Sequence, residues 1–275
     1  MRVQLNRYPV GPVGGLTAGV AIDEIMAYAV RLIGSAGQLA VDRFHTGAMS
    51  RPKADGSEVT DADLAVEELI RTDLARHAPD DGVYGEEGGE SAGRSGRRWV
   101  IDPISGTGYF TRRMPLFANL LAYEDEHGPA VGLINLPMQR EMLVAGRGQG
   151  CFLVHGADSR TRVWVDRASE LRDALTLAGN QQTWPTPVVT ALHRSVALVG
   201  GIHHPAFYVA TGRVRAAVLN RQGYEDLAPL PVIVAEAGGR ITGWDGGPVL
   251  GGAGSAVLAN PDVHARLLEI MAAPA

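Results

Sequence analysis

The sequence is poor in cysteine and lysine, and it contains no long apolar run. Its 275 residues include one cysteine, Cys151, and one lysine, Lys53. A single cysteine excludes an internal disulfide and a paired-cysteine zinc site. A membrane-spanning helix needs about 18 or more consecutive apolar residues, and the sequence contains no such stretch. Met1 to Val20 lacks the apolar core of a signal peptide. We therefore expect a cytoplasmic protein without a membrane partner.

Positive charge is also scarce and dispersed. The net charge is −5, and no basic run is longer than Arg97-Arg98 or Arg112-Arg113. Because binding to a phosphate backbone needs a concentrated basic face, we expect no nucleic-acid partner. The length predicts one compact unit over 1–275. A shift in composition near Ser159 to Ala174 divides it into an N-terminal α+β half at 21–158, which holds the metal motifs, and a C-terminal α/β half at 159–275, which holds the substrate pocket.

Hydrophobic periodicity predicts helices and a meander of strands in the first half. Apolar residues from Ile22 recur at three- and four-residue steps to about Phe44, which is typical of an amphipathic helix. Thr60 and Asp63 form a capping-box pattern that predicts the start of a second helix. Four short apolar runs then predict a largely antiparallel sheet, at Trp99–Ile101, Leu116–Tyr123, Ala130–Asn135 and Glu141–Ala145.

In the second half, predicted strands and helices alternate, which is typical of layered α/β packing. We predict strands at Ser195–Val199, Ala216–Asn220 and Ala256–Ala259, and helices at Pro205–Thr211, Asp226–Ala237 and Pro261–Met271.

Acidic residues stand at predicted strand ends and helix starts, namely Asp63, Glu86-Glu87, Asp102 and Asp226. A buried carboxylate needs a partner, and a divalent cation can provide it. Magnesium prefers carboxylates, waters and phosphate oxygens, which this set could supply without histidine or cysteine. Taken singly, each of these residues is more simply a turn cap or a solvated loop charge. Their combined order favours a metal site.

A glycine-rich turn, Pro103 to Gly108, follows Asp102 directly. Proline and glycines favour a turn whose backbone amides can approach a ligand closely. The two features together predict a metal and phosphate site.

The order of these motifs resembles the inositol monophosphatase family, including its histidinol-phosphatase branch. The resemblance runs from about Asp23 to Leu268 and depends on Lys53 with 55–63, on Gly85-Glu86-Glu87, on 99–107, and on Asp226 with 236–239. It implies an α/β fold, the layered α-β-α-β-α sandwich of the inositol monophosphatase and fructose-bisphosphatase type. It also implies magnesium as cofactor, a small phosphorylated substrate, and a homodimer.

The resemblance also implies residue roles. Metal ligands would be Glu86, Asp102, the carbonyl of Ile104, and Asp226. Catalytic residues would be Glu86, Thr107, Asp63 and Lys53, although a lone lysine can also be simply solvent-exposed. Substrate-binding residues would be Ser105, Gly106, Thr107, His203, His204 and Leu219.

The sequence departs from the family at several of these positions. Ser105 stands where the family has a metal-binding aspartate, so one negative charge is missing. Leu219 stands where relatives have a hydroxyl-binding glutamate, and Arg215 replaces a frequent aspartate. His203 and His204 are candidate acid/base or substrate contacts, or they only cap and pack a helix start. A nucleophilic Ser105 is disfavoured because no histidine is placed by sequence to act as its base.

Three functions remain open at this level. The first is a magnesium-dependent phosphomonoesterase acting on a small sugar, cyclitol or amino-alcohol phosphate, with altered or reduced activity. The second is a repurposed member of the family that catalyses a non-hydrolytic step in a specialised biosynthetic pathway. The third is a catalytically silent binding protein, since fold alone does not determine function.

Overall fold

The computed structural model describes residues 20–53, 56, 58–155 and 159–273. The expectation for Met1 to Val20 therefore lies outside the described residues, except for Val20 itself. Asp55 and Ser57 of the first motif also lie outside them.

The described residues form helices and strands throughout. The α-helices are α1 (Ile22–Thr46), α2 (Asp61–His77), α3 (Thr107–Thr111), α4 (Thr186–Ser195), α5 (Pro205–Ala210), α6 (Tyr224–Leu227), α7 (Leu230–Glu236) and α8 (Pro261–Ala272). The strands are β1 (Ser50–Pro52), β2 (Glu58–Thr60), β3 (Gly82–Gly85), β4 (Gly89–Ser91), β5 (Arg98–Ser105), β6 (Ala118–Asp125), β7 (Gly128–Leu136), β8 (Glu141–Gly146), β9 (Gly150–His155), β10 (Ser159–Arg162), β11 (Leu175–Gly179), β12 (Ala197–Gly200), β13 (Ala216–Leu219), β14 (Arg240–Thr242) and β15 (Ala256–Ala259). Among these helices, none combines the length and the apolar character needed to cross a membrane.

The two N-terminal helices follow the sequence patterns. One face of α1 is buried, as the three- and four-residue spacing predicted. At the start of α2, the Thr60 side chain accepts from the backbone N–H groups of Ala62 and Asp63, and the Asp63 carboxylate accepts from the Thr60 N–H. The predicted capping box is therefore confirmed, and it holds the Asp63 carboxylate at a buried helix start.

The first sheet has eight strands in the order β10-β9-β8-β7-β6-β5-β3-β4. From β5 to β10 each strand pairs antiparallel with the next, and β3 pairs parallel with β5. The predicted antiparallel meander is confirmed.

The second sheet has five strands in the order β12-β11-β13-β15-β14. Strand β11 lies parallel to both β12 and β13, and β15 runs antiparallel to β13 and β14. The chain passes from the first sheet to the second between Arg162 and Leu175. The boundary at 158/159 between two halves stays a prediction.

The helices and sheets stack in five layers. Helices α1 and α2 cover one face of the first sheet, and α5 and α7 lie between the two sheets. Helices α4 and α8 cover the outer face of the second sheet. The predicted α-β-α-β-α sandwich is therefore confirmed.

Two predictions of secondary structure in the second half were wrong. The single helix over Asp226–Ala237 is divided into α6 and α7 because Pro229 lacks the N–H that would continue the helical hydrogen bonds. Ser195 ends α4 instead of beginning a strand, and neither α4 nor β11 was predicted.

A buried histidine couples the stability of the second sheet to pH. The His264 ring is 1% exposed, and its Nε2 lies 2.9 Å from Thr242 Oγ1. Burial, and to a lesser degree the charge of Arg240, lowers the pKa of His264 from 6.5 to about 4. His264 therefore binds a proton near pH 6.5 in the unfolded chain but only near pH 4 in the folded protein. As a result, the free energy of unfolding falls as the pH falls from about 6.5 to about 4.

We expect the protonation of His264 to lower the free energy of unfolding by about 2 kcal/mol when the pH falls from about 7 to about 5. Urea denaturation of the wild type and of His264→Gln at both pH values measures the effect, and the variant should show the shallower pH dependence. The exposed His127→Gln is the matched control and should keep the wild-type dependence. Equal dependence in all three proteins would contradict the assignment.

Candidate active site

A β-bulge in β5 sets the direction of two predicted site residues. Asp102 pairs with Leu120 of β6, but Ser105 pairs with Ala118, so β5 contains one extra residue between the two pairs. A bulge bends the strand and changes where its side chains point. Pro103 fits there because a bulge does not require its missing N–H.

Buried amides hold this bulge in place. Asn119 Nδ2 donates to the Pro103 carbonyl at 2.6 Å, and Asn135 Nδ2 donates to Asn119 Oδ1 at 2.9 Å. Gly37 of α1 packs directly on this amide pair, and a Cβ at that position would collide with Asn135 Nδ2. The path of β5 at the site thus depends on a glycine in the outer helical layer.

The bulge opens onto a cavity of about 940 Å³ between the two sheets. Most of the predicted site residues contribute to its wall, namely Glu86, Asp102, Ile104, Ser105, Gly106, Thr107, His203, His204, Leu219 and Asp226. Lys53 and Asp63 are not in the wall, but each contacts a residue that is.

The predicted metal-binding carboxylates are held at an electrostatic cost. Asp102 is 2% exposed, and its Oδ1 has no hydrogen-bond partner among the described residues. Burial, followed by the charges of Glu86 and Asp226, raises the pKa of Asp102 well above its ordinary value. Burial also raises the pKa of Asp226, although hydrogen bonds from Ser105 and Gly223 oppose this. The three carboxylates therefore converge closely enough to repel one another.

A lysine partly compensates this charge. Lys53 Nζ lies 2.7 Å from Glu86 Oε1 and 2.6 Å from Glu87 Oε1. Burial alone lowers the pKa of Lys53, but the bonds to the two glutamates and their charge outweigh it and raise the pKa overall. The glutamate loop is held in turn by buried Glu67, which accepts from the N–H groups of Glu87 and Gly88.

Asp63 reaches the site through Thr107. Thr107 Oγ1 lies 3.2 Å from Asp63 Oδ1 and 3.0 Å from the Ile104 carbonyl oxygen, so its hydroxyl can donate to either. Burial raises the pKa of Asp63, and hydrogen bonds from Thr60 and Thr107 partly oppose the shift. The Asp63–Thr107 contact thus connects the capping box of α2 to the cavity wall.

Ser105 connects a carboxylate to an imidazole. Its Oγ donates to Asp226 Oδ1 at 2.9 Å and lies 3.1 Å from His203 Nε2. The expectation that no histidine is placed to act as a base for Ser105 was wrong, because the two residues are 98 positions apart in the sequence and meet only in the fold. His204 occupies the N-cap position of α5 with φ +51°, yet its side chain makes no capping hydrogen bond.

Gly106 makes room for the His203 ring. Its φ is +90°, and a Cβ at this position would come within 2.8 Å of His203 Cδ2 and Nε2. Both the left-handed backbone and the close ring favour glycine here.

Two remaining departures from the family, Leu219 and Arg215, lie in the second half of the chain. Leu219 ends β13, is 3% exposed and lines the wall. Arg215 does not line the cavity, because its Nε pairs with Asp166 Oδ2 at 2.6 Å and its Nη1 donates to the Glu170 carbonyl. The departure from the family at Arg215 therefore lies outside the cavity wall.

Sequence reasoning missed several lining residues. Glu225, next to Asp226, faces the cavity, and burial together with the charges of Asp226 and Glu86 raises its pKa to about 7. The Glu225-Asp226 pair at a helix start was a signal that could have revealed it. The amides of Asn180, Gln181 and Gln182 follow β11, and they were missed because that strand was not predicted.

The donor set suits a hard divalent cation in its chemistry. Glu86, Asp102, Asp226 and the Ile104 carbonyl offer oxygen ligands, and the unpaired Asp102 Oδ1 is a buried acceptor that a cation would satisfy. As these side chains stand, no three His, Cys, Asp or Glu residues in the described part of the chain form a group that could hold a metal ion.

Comparison with known proteins identifies the family. The model of the inositol monophosphatase family matches residues 21–273. The chain belongs to this family. A histidinol-phosphatase of Mycobacterium tuberculosis (strain ATCC 25618 / H37Rv) is 36% identical over 226 residues, which cover 78% of this chain and 85% of that protein.

Solved structures share the fold of this inositol monophosphatase family member. The extragenic suppressor protein suhB from Bartonella henselae superposes with a TM-score of 0.82 at 24% identity, covering 90% of this chain and 98% of that one. A structure described as IMPase/NADP phosphatase complexed with Mg²⁺ and phosphate gives a TM-score of 0.79 at 20% identity, covering 92% and 96%. At these identities the likeness shows the fold alone.

Removing the buried charge of Asp102 should separate stability from metal binding. We expect Asp102→Asn to raise the free energy of unfolding in chelator by about 1 kcal/mol, because the variant no longer buries an unpaired charge. Added Mg²⁺ should raise the melting temperature of the wild type but not of this variant.

Thermal unfolding with chelator and with Mg²⁺ measures both effects. The exposed Asp262→Asn in the first turn of α8 is the matched control and should keep the Mg²⁺ response. An equal Mg²⁺ response in Asp102→Asn would contradict the role of Asp102.

Proposed function

We propose that this protein is a magnesium-dependent phosphomonoesterase acting on a small sugar, cyclitol or amino-alcohol phosphate. The observation that carries the proposal is the buried, unpaired Asp102 Oδ1 in a cavity shared with Glu86 and Asp226. The family match and the Mg²⁺- and phosphate-bound structure of the same fold support it. A cytoplasmic homodimer without nucleic-acid or membrane partners remains part of the prediction.

Glu86, Asp102 and the Ile104 carbonyl would hold a first cation, and Asp102 and Asp226 would hold a second. When bound, such cations lower the pKa of a water and neutralise charge on phosphoryl and leaving-group oxygens. Lys53 holds the Glu86 carboxylate in place through an ion pair of 2.7 Å.

Thr107 and Asp63 would orient the attacking water. When the Thr107 hydroxyl donates to Asp63 Oδ1, its oxygen is free to accept a hydrogen bond from a water beside Glu86. Asp63 is fixed by the capping box, so it acts as a positioning residue for Thr107. The amides of Gly106 and Thr107 and the Ser105 hydroxyl would contact the phosphate.

An amino-alcohol phosphate is the substrate class that the cavity lining favours. Leu219 cannot accept a hydrogen bond from a sugar hydroxyl, whereas the Glu225 carboxylate faces the cavity. Within the described residues, Glu225 forms no ion pair with an arginine or lysine side chain. A substrate ammonium would supply the missing positive charge, and the histidinol-phosphatase relative is named for such an amino-alcohol phosphate.

The direct test is Mg²⁺-dependent release of inorganic phosphate from inositol, histidinol and nucleotide monophosphates. We expect turnover of at least one, and we expect Thr107→Val to lower kcat about 100-fold or more with little change in KM, because water activation is lost. The matched control is Thr72→Val on the exposed face of α2, which should behave as the wild type.

No turnover of any substrate, with Mg²⁺ still bound, would contradict the hydrolytic function. That result would instead favour the second candidate, a repurposed family member that catalyses a non-hydrolytic step. The observation that favours this alternative is Ser105, because it removes a negative charge from the predicted second cation site.

Glu225 allows the substrate class to be tested separately. Glu225→Gln keeps the shape of the side chain but removes its charge. We expect it to raise the KM for histidinol phosphate about tenfold, the loss of one partly buried ion pair, and to leave the KM of amine-free phosphates within about twofold. Equal changes for both substrate types would contradict recognition of an ammonium group.

A further inference from the structure

Three side chains join α6 to the first sheet in a closed hydrogen-bonded network. Arg98 of β5 lies opposite Glu124 of β6 in the strand pairing, and its Nε donates to Glu124 Oε2 at 2.6 Å. Tyr224 is the first residue of α6, and its hydroxyl donates to Glu124 Oε1 at 2.6 Å. The same hydroxyl accepts from Arg98 Nη2 at 2.6 Å. Each member of this Arg98–Glu124–Tyr224 network therefore contacts both others.

The Tyr224 hydroxyl closes the network because it donates one hydrogen bond and accepts another. Burial, followed by the hydrogen bond to Glu124, raises the pKa of Tyr224 to about 12, so the hydroxyl keeps its proton at pH 7. The Arg98 guanidinium also lies over the Tyr224 ring, 5.0 Å from its centroid. Glu124 is 7% exposed, so without the hydroxyl one buried carboxylate oxygen would lose this donor.

The network connects the two elements that carry the predicted second cation site. Asp102 follows Arg98 by four residues in β5, and the two share that strand. Asp226 follows Tyr224 by two residues in α6. Among the described residues that line the cavity, the network has no member. Its influence on the site therefore passes through the backbone of β5 and α6.

Helix α6 needs an anchor outside itself. It is four residues long, and a helix of this length is held in place by its contacts with the rest of the fold. The charge of Asp226 contributes to the raised pKa of Asp102, so repulsion between the two carboxylates acts to separate α6 from β5. Ser105 Oγ also links these elements, but it uses Asp226 Oδ1, an oxygen that a cation would share. The Tyr224 contact leaves the Asp226 carboxylate free.

We propose that Tyr224 is a positioning residue that, through Arg98 and Glu124, sets the place of Asp226 beside Asp102 and so the affinity of the second cation site. The inference rests on the proposed function for the location of that site. The predicted ligands of the first cation lie in β5 and in the loop after β3, so a loosened α6 should weaken the second cation alone.

The test counts the Mn²⁺ ions that bind to the full-length, chelator-treated protein in the absence of substrate. Electron paramagnetic resonance of free Mn²⁺ gives the affinity of each ion. Tyr224→Phe removes the hydroxyl and keeps the ring. We expect the second ion to bind about tenfold more weakly or less tightly still, the loss of one hydrogen bond to a charged group, and the first to stay within about twofold of the wild type.

Tyr84→Phe is the matched control. The ring of Tyr84 packs against that of Tyr224 with centroids 5.7 Å apart, but its hydroxyl makes no hydrogen bond among the described residues. This variant should bind both ions as the wild type does. Glu124→Gln attacks the network from the opposite side, because it removes the charge that holds Arg98, and it should also weaken the second ion. The test therefore does not depend on the folding of one variant.

Hydrogen exchange of α6 measures the anchor without any cation. In chelator, we expect the amides of Leu227 and Ala228 to exchange about tenfold faster in Tyr224→Phe than in the wild type, and at the wild-type rate in Tyr84→Phe. The amides of α2 should keep their exchange rates in both variants, which distinguishes a loosened α6 from a general loss of stability.

The outcomes separate this inference from the proposed function. Equal weakening of both ions, an unchanged second ion, or the same weakening in Tyr84→Phe overturns the inference. If the wild type binds fewer than two ions, the exchange of the α6 amides decides, and an unchanged rate in Tyr224→Phe overturns it. If only the second ion is weakened but no substrate releases phosphate, the inference holds and the phosphatase proposal fails.

Discussion

Repulsion between the buried carboxylate of Asp102 and the half-buried carboxylates of Glu86 and Asp226 is the constraint around which the cavity is organised. Asp102 is held at a β-bulge, cannot move into solvent, and shares its surroundings with Glu86 and Asp226. Lys53 and the Ser105 hydroxyl compensate part of this charge, but Asp102 Oδ1 still has no partner among the described residues. Much of the polar detail in the site follows from the need to balance negative charge that burial makes costly.

The five-layer sandwich brings these groups together from separate elements. Asp102 and Ser105 come from the first sheet, Asp226 from α6 between the sheets, and His203 from the loop before α5. Strand ends and helix starts thus place these side chains in the wall of one cavity.

Much of the fold could be predicted from the sequence, because local patterns determine it. Residues close together in the sequence determine the periodicity of α1, the capping box of α2 and the strands of the meander. The order of acidic motifs indicated which residues share a cavity. The contact between His203 and Ser105 could not be predicted, since it depends on how two sheets pack across 98 residues. Glu225 was overlooked because its significance arises from burial, which a single sequence does not display.

Gly37 lets helix α1 affect the shape of the candidate active site without contacting the cavity. It belongs to α1 and does not line the cavity, yet its lack of a side chain admits the Asn135 and Asn119 amides that hold the Pro103 carbonyl. Any side chain at position 37 would therefore disturb the cavity wall from outside the cavity. Substitutions in α1 could therefore change the path of β5 without adding any atom to the cavity.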